Sequence, residues 1–196
     1  MVDYNHYNLF PTLVMTFDLS KSPFYNKMLT VVRRTHTKEH MLMKNSESSY
    51  DESTINTWLD QPMLEELKDT FQQCLDVYTT EYQIAPVMIG TSWMNRVKKG
   101  GSVRSHRHEM SVLSGAFYPE ADEGSTGLIF KSPLSPYRMN EFAMQESIYN
   151  SPQQEFPCEQ GTLILFPSWL EHYTEDNNTD KRVTVSFNTT YKPRSW

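Results

Sequence analysis

A change of texture at residue 87 constrains this chain more than any other feature. Ahead of it lie two segments with helical periodicity. Behind it, short β-rich runs are separated by Gly, Pro, Asn and Asp, the pattern of a sandwich or barrel. The expected strands are 87–97, 103–108, 111–118, 128–131, 162–166 and 183–191, with one earlier strand over 9–17. Asp18 and the polar residues after it offer caps for a helix running to about Thr35. Residues 38–51 are polar and read as loop. Asp60 and Pro62 open a second helix, along which Leu64, Leu67, Phe71, Cys74, Leu75 and Tyr78 recur at helical spacing, a stripe that reads as core. Helices followed by a β-rich half give an α+β, mainly β fold.

The 196 residues suit one domain spanning 1–196, and no internal repeat or break in composition divides them. Lys plus Arg number 18 against 24 Asp plus Glu, a formal charge of −6, which argues against a duplex nucleic-acid partner. Cys74 and Cys158 belong to no CxxC pair, so neither a disulfide framework nor a thiolate metal site is indicated. Residues 1–10 lack a basic lead and a long apolar run, and no stretch approaches the roughly 18 apolar residues of a membrane span. The expectation is a cytoplasmic protein, with a symmetric homodimer as the default assembly. Asn177-Asn178-Thr179 fits a glycosylation sequon, but reads as a turn in such a chain.

Three of the six histidines fall in the β half as an H-x-H pair and a distant partner: His106, His108 and His172. On a strand, residues two apart share a face, so His106 and His108 can present imidazoles to one ion. His172 follows the apolar run 161–167 and its proline turn, placing it at a cavity mouth. Three such ligands with open positions describe a catalytic non-haem iron site rather than a closed structural one. Taken singly, each histidine is more often a surface or hydrogen-bonded core residue. Beyond them, Arg182, Thr184, Ser186 and Asn188 alternate onto one face of a strand, where the planar fork of Arg182 can grip a carboxylate.

Trp93-Met94-Asn95, Gly100-Gly101, His106-Arg107-His108, the run from Leu113 to Tyr118, Gly161 to His172 and Arg182 to Asn188 together resemble the 2-oxoglutarate and iron(II)-dependent oxygenase superfamily. The nearest likeness is to a small group of oxygenases from phages and marine bacteria. It extends to the opening Asn8-Leu9-Phe10-Pro11-Thr12, and so covers most of the chain. The resemblance implies a double-stranded β-helix (jelly-roll, cupin-like) with two N-terminal supporting helices. It further implies Fe(II) and 2-oxoglutarate as cofactors, dioxygen as oxidant, and hydroxylation of a small-molecule or peptide substrate with release of succinate and CO2. By the same resemblance, His106 and His172 are iron ligands and Arg182 binds the far carboxylate of 2-oxoglutarate. Thr184 assists in place of the usual serine, and Asn95 and Tyr118 supply hydrogen bonds to the co-substrate.

One departure stands out: the family usually has Asp or Glu where this chain has His108. Three neutral imidazoles leave the ion's charge uncompensated until the co-substrate dianion binds, and they also suit zinc, copper and nickel. Glu109 is the alternative carboxylate ligand if the strand ends in a turn or bulge, whereas period two favours His108. Trp93, Trp169 and Tyr173 form a candidate substrate wall, against the commoner role of aromatics as core. Lys98, Lys99, Arg104 and Arg107 make a basic cluster that either steers an anion or is a solvated face. The proline-containing stretch 131–159 is a lid or a plain insertion. Two rival readings remain at this point. One is a cupin-like three-histidine metal dioxygenase that does not use 2-oxoglutarate. The other is a non-catalytic jelly-roll binding or virion protein.

Overall fold

A computed structural model describes residues 2–138 and 141–193. In chain order its elements are β1 (Met15–Asp18), α1 (Tyr25–Arg34), β2 (Lys38–Glu39), β3 (Met43–Ser48), α2 (Glu65–Tyr82), β4 (Val87–Val103), β5 (Leu113–Ala121), β6 (Leu128–Lys131), β7 (Gln153–Phe156), β8 (Thr162–Pro167), β9 (His172–Tyr173) and β10 (Arg182–Tyr191). Short 3-10 turns at Trp58–Asp60 and Pro62–Leu64 lead into α2, and a third lies at Ser135–Tyr137. The strands form a seven-stranded sheet in the order β1-β8-β5-β10-β4-β3-β2 and a three-stranded sheet in the order β7-β6-β9, with every named pairing antiparallel.

Period-two alternation in the large sheet divides the core in two. Leu163 and Leu165 of β8, Phe117 of β5, and Val183, Val185 and Phe187 of β10 join Met28, Val31 and Val32 of α1 and Leu67, Phe71, Leu75 and Tyr78 of α2 in one buried cluster. Phe71 anchors this outer layer, its ring 5.2 Å from Phe117 and 5.1 Å from Phe187. The opposite-facing residues Ala116, Tyr118, Ile164 and Phe166 pack instead with Leu128 and Phe130 of β6, Cys158 and Leu170. The helices therefore cover one face of the large sheet and the small sheet covers part of the other, which is the jelly-roll arrangement. No helix among the described residues is long and apolar enough to cross a membrane.

Several boundaries differ from the sequence expectation. Residues 9–14 are not strand, because Phe10 turns with φ of 60° and Pro11 has no N–H to give a ladder. The helix expected after Asp18 starts only at Tyr25, since Asp18 Oδ1 takes the Ser20 amide (2.9 Å) in a tight local turn. Residues 38–51 are not simply loop. They contain the β2–β3 hairpin, whose polar face hid it from hydrophobic alternation. Within 131–159, β7 adds a strand beside β6. Residues 103–108 are not a strand either: β4 runs on to Val103 and ends there.

Candidate active site

The end of β4 explains how the histidines meet. The Arg104 amide turns to the Leu42 carbonyl (2.9 Å), and residues 106–108 pair with 168–172 instead. His106 and His172 exchange both backbone hydrogen bonds, each at 3.0 Å, while the His108 amide donates to the Ser168 carbonyl (2.9 Å). This isolated bridge, rather than a shared strand face, brings the H-x-H pair to β9. The three ring centroids lie 4.4 Å (His106–His172), 5.0 Å (His106–His108) and 5.3 Å (His108–His172) apart. One ligand atom from each falls within 4.8 Å of the others, a group that can hold a metal ion.

The ring hydrogen bonds fix which nitrogen is available on two of the three histidines. His106 Nδ1 donates to the Arg104 carbonyl (2.8 Å) and His172 Nδ1 to the Leu170 carbonyl (2.9 Å). A carbonyl only accepts, so the neutral rings carry their proton on Nδ1 and keep an Nε2 lone pair. His108 Nδ1 lies 3.3 Å from the side-chain amide of Asn188. Burial holds all three rings neutral: desolvation, reinforced by the neighbouring imidazole of His106, brings His108 down to about 4 and His172 to about 3. His106 is lowered by the same desolvation. Neutral imidazoles with oriented Nδ1 groups are the donor set a divalent transition metal requires.

These rings open onto a cavity of about 460 Å³ whose wall includes Arg182, Thr184, Ser186 and Asn188. Arg182 is 3% exposed and donates from Nε to the Thr126 carbonyl (2.8 Å) and from a terminal nitrogen to Thr184 Oγ1 (3.2 Å). Its guanidinium sits 5.3 Å from the centroid of the Tyr118 ring. Among the described residues, no carboxylate pairs with this buried cation, although burying an unpaired charge is costly. The Tyr118 phenol is pushed up by burial, an effect partly offset by Arg182, so it is a neutral O–H donor. The Tyr118 hydroxyl and Asn95 Oδ1 are both buried without a hydrogen-bond partner. A buried arginine and an orphaned phenol, both donors, in one pocket fit a small anionic ligand with several oxygens, whereas the orphaned Asn95 Oδ1 is an acceptor and calls for a donor.

Other expected site residues separate. Trp93 and Tyr173 line the cavity. Trp169 is half-exposed and lies outside the cavity lining, and Glu109 is outside the histidine group, exposed and paired with Arg107 (3.3 Å). Lys98 of the basic cluster pairs with Glu47 (2.6 Å). Sequence reading missed His40, Met41, Leu42 and Tyr50, which line the same cavity from the β2–β3 region, and gave Asn188 no contact with a histidine. An aromatic and a histidine in an otherwise polar stretch were the available signal.

Compared by sequence with curated proteins, the chain matches none. Among solved structures it resembles the non-haem α-ketoglutarate-dependent epimerase SnoN from nogalamycin biosynthesis (TM-score 0.66, 12% identity, covering 93% of this chain and 82% of that one). It also resembles HygX from Streptomyces hygroscopicus with nickel, 2-oxoglutarate and hygromycin B bound (0.61, 9%, 92% and 84%). A third likeness is to a Pseudomonas putida prolyl-4-hydroxylase (0.61, 8%, 94% of each chain). At such identities the likeness establishes the double-stranded β-helix fold. A family model described as "Putative 2OG-Fe(II) oxygenase" matches residues 91–188, half of the chain, and these residues carry His106, His108, His172 and Arg182. The chain therefore belongs to this family of iron(II)- and 2-oxoglutarate-dependent dioxygenases.

Proposed function

We propose that the chain hydroxylates a small-molecule or peptide substrate, with His106, His108 and His172 holding iron(II) and Arg182 holding 2-oxoglutarate. The observation that carries this reading is the buried Arg182, without a carboxylate partner, in the same cavity as three neutral imidazoles. Iron(II) held there would activate dioxygen, the oxidant, with 2-oxoglutarate giving two electrons as it becomes succinate and CO2, so that one oxygen atom enters the substrate and the other succinate.

The chain's own residues bind, orient and exclude. His106 and His172 offer Nε2 lone pairs to the metal, each ring steered through its Nδ1 carbonyl partner, and His108 offers its own once the Asn188 side chain presents oxygen rather than NH2 to its Nδ1. The Arg182 fork takes the distal carboxylate and is held by the Thr126 carbonyl and the Thr184 hydroxyl. The Tyr118 hydroxyl donates to the same anion, and Asn95, paired with Thr184 on the neighbouring strand, meets it through its NH2 group once the amide is turned to present it. Ala116, Leu128 and Phe166 form an apolar wall that keeps water from this end of the pocket. Trp93 and Tyr173 stand where the prime substrate enters. A non-catalytic jelly-roll would have no use for a buried, unpaired arginine, and a dioxygenase without 2-oxoglutarate would leave it equally idle.

The test is anaerobic titration of the iron(II)-loaded protein with 2-oxoglutarate, reading the visible charge-transfer band of bidentate chelation. The band is expected in the wild type and absent in His172→Ala. In Arg182→Ala it should need roughly 100-fold more co-substrate, in line with ~2–5 kcal/mol for truncating one side of a buried charge pair. An unchanged requirement in Arg182→Ala would overturn the assignment of Arg182.

A further inference from the structure

Three buried side-chain polar atoms among the described residues lack a hydrogen-bond partner: Asn95 Oδ1, the Tyr118 hydroxyl and His40 Nε2. All three residues line the one cavity that contains the histidine group. A buried polar group left unpaired is costly, so three of them around one cavity point to ligand atoms that complete them. The Tyr118 hydroxyl belongs with Arg182 and the co-substrate, and Asn95 lies beside them, paired with Thr184. His40 does not: it sits on the turn between β2 and β3, beside Met41, Leu42 and Met43.

The local geometry of that turn defines what His40 offers. Its carbonyl accepts the Met43 amide (2.9 Å), and its Nδ1 accepts the Leu42 amide (3.3 Å). With Nδ1 engaged as an acceptor, the ring's hydrogen is on Nε2, so the orphaned atom is a donor and cannot be a fourth metal ligand. The ring is also tied to the metal centre by aromatic contacts. His40 meets Tyr50 edge-on at 5.5 Å, Tyr50 meets Trp93 edge-on at 5.4 Å, and Trp93 lies 5.9 Å from His108. A continuous wall of rings therefore runs from the turn to the histidine that replaces the family's usual carboxylate, with Met41, Leu42 and Met43 beside it.

Resting on the oxygenase reading, we infer that His40 is a specificity-determining residue that donates its Nε2 hydrogen to an oxygen acceptor on the prime substrate. That substrate is a compound, or a side chain, with a ring-sized apolar body that lies against Tyr50 and Trp93 and bears a carbonyl or carboxyl oxygen. The wall supplies the apolar contact, and the single donor supplies orientation. The co-substrate takes part of the 460 Å³, and the remainder accommodates a ring-sized group beside it.

The experiment uses protein loaded with zinc(II), which does not turn over, and 2-oxoglutarate. The probes are acetophenone and ethylbenzene, which have the same body and differ only in the carbonyl. Binding is followed by NMR titration on protein carrying ¹⁵N-labelled histidine. The expected result is a His40 proton on Nε2, a shift of that resonance on adding acetophenone, and acetophenone binding about tenfold more tightly than ethylbenzene. His40→Phe, which keeps the ring contact, should erase the discrimination, and His40→Gln, which keeps a donor, should restore part of it. A proton on Nδ1, binding of neither probe, equal affinities, or discrimination that survives in His40→Phe would each overturn the inference. The iron(II) charge-transfer titration of the wild type separates the two failures. If that band is absent the oxygenase reading falls, whereas if it is present without discrimination only the assignment of His40 falls.

Discussion

Asn188 stands behind His108 as the backbone carbonyls stand behind the other two histidines. Its side-chain amide lies 3.3 Å from His108 Nδ1, and its Oδ1 accepts from Ser114 Oγ (2.8 Å), which in turn meets Ser168 Oγ (2.7 Å). Rotating the amide by half a turn presents the oxygen to Nδ1 and lets Ser114 accept, the arrangement that frees His108 Nε2 for metal. Asn188→Leu is therefore expected to weaken metal binding by roughly 10–100-fold, and Asn188→Asp to preserve it. Competition with a chromophoric chelator measures this, and an unchanged affinity in Asn188→Leu would remove Asn188 from the metal's support. Alternation along 182–188 was enough to put Asn188 on the cavity face. Its contact with a histidine 80 residues away in sequence was not readable, because that contact depends on where the chain leaves β4.

At the scale of elements, what the sequence showed was the part governed by periodic burial. The α2 stripe from Leu64 to Tyr78 is buried throughout, and β6, β8 and β10 lie within a residue of expectation, because each presents regular apolar spacing to a core. The β2–β3 hairpin escaped notice since Lys44, Asn45, Ser46, Glu47 and Ser48 carry no apolar alternation, yet its turn supplies a wall of the site. His106 and His108 come together for a reason other than strand periodicity: the backbone bridge to His172, not a strand face, makes the rings converge. Gly115 shows how tightly β5 and β10 are fitted, since a Cβ there would overlap the Phe187 ring, itself packed on Phe71. Gly115→Ala should therefore cost at least ~1–3 kcal/mol by overpacking, read as a lower denaturation midpoint at constant slope. Wild-type stability in that variant would mean that the outer core yields more readily than its packing implies.

Across the whole molecule, ligand and fold should be linked through charge. At the proposed site, three neutral imidazoles would give a metal no compensating negative charge, and Arg182 adds a cation to the same cavity, so a dianion would gain from both. Metal and 2-oxoglutarate should each raise stability, and the increment from 2-oxoglutarate should be larger once metal is present, since coupling between two ligands is reciprocal. A ligand at 100 times its Kd adds ~2.7 kcal/mol, which for a chain of this size is a rise in Tm of roughly 5–11 °C. Arg182→Ala should keep the metal increment and lose most of that from 2-oxoglutarate, while His172→Ala should lose both. The cysteines give a second readout. Cys74 and Cys158 are unpaired and buried, and burial pushes both thiols up to about 11, so at pH 8 they should alkylate only when the chain opens. Metal with 2-oxoglutarate should slow that alkylation in parallel with the rise in Tm. Equal increments from 2-oxoglutarate with and without metal would break the linkage, and would place the dianion away from the three histidines.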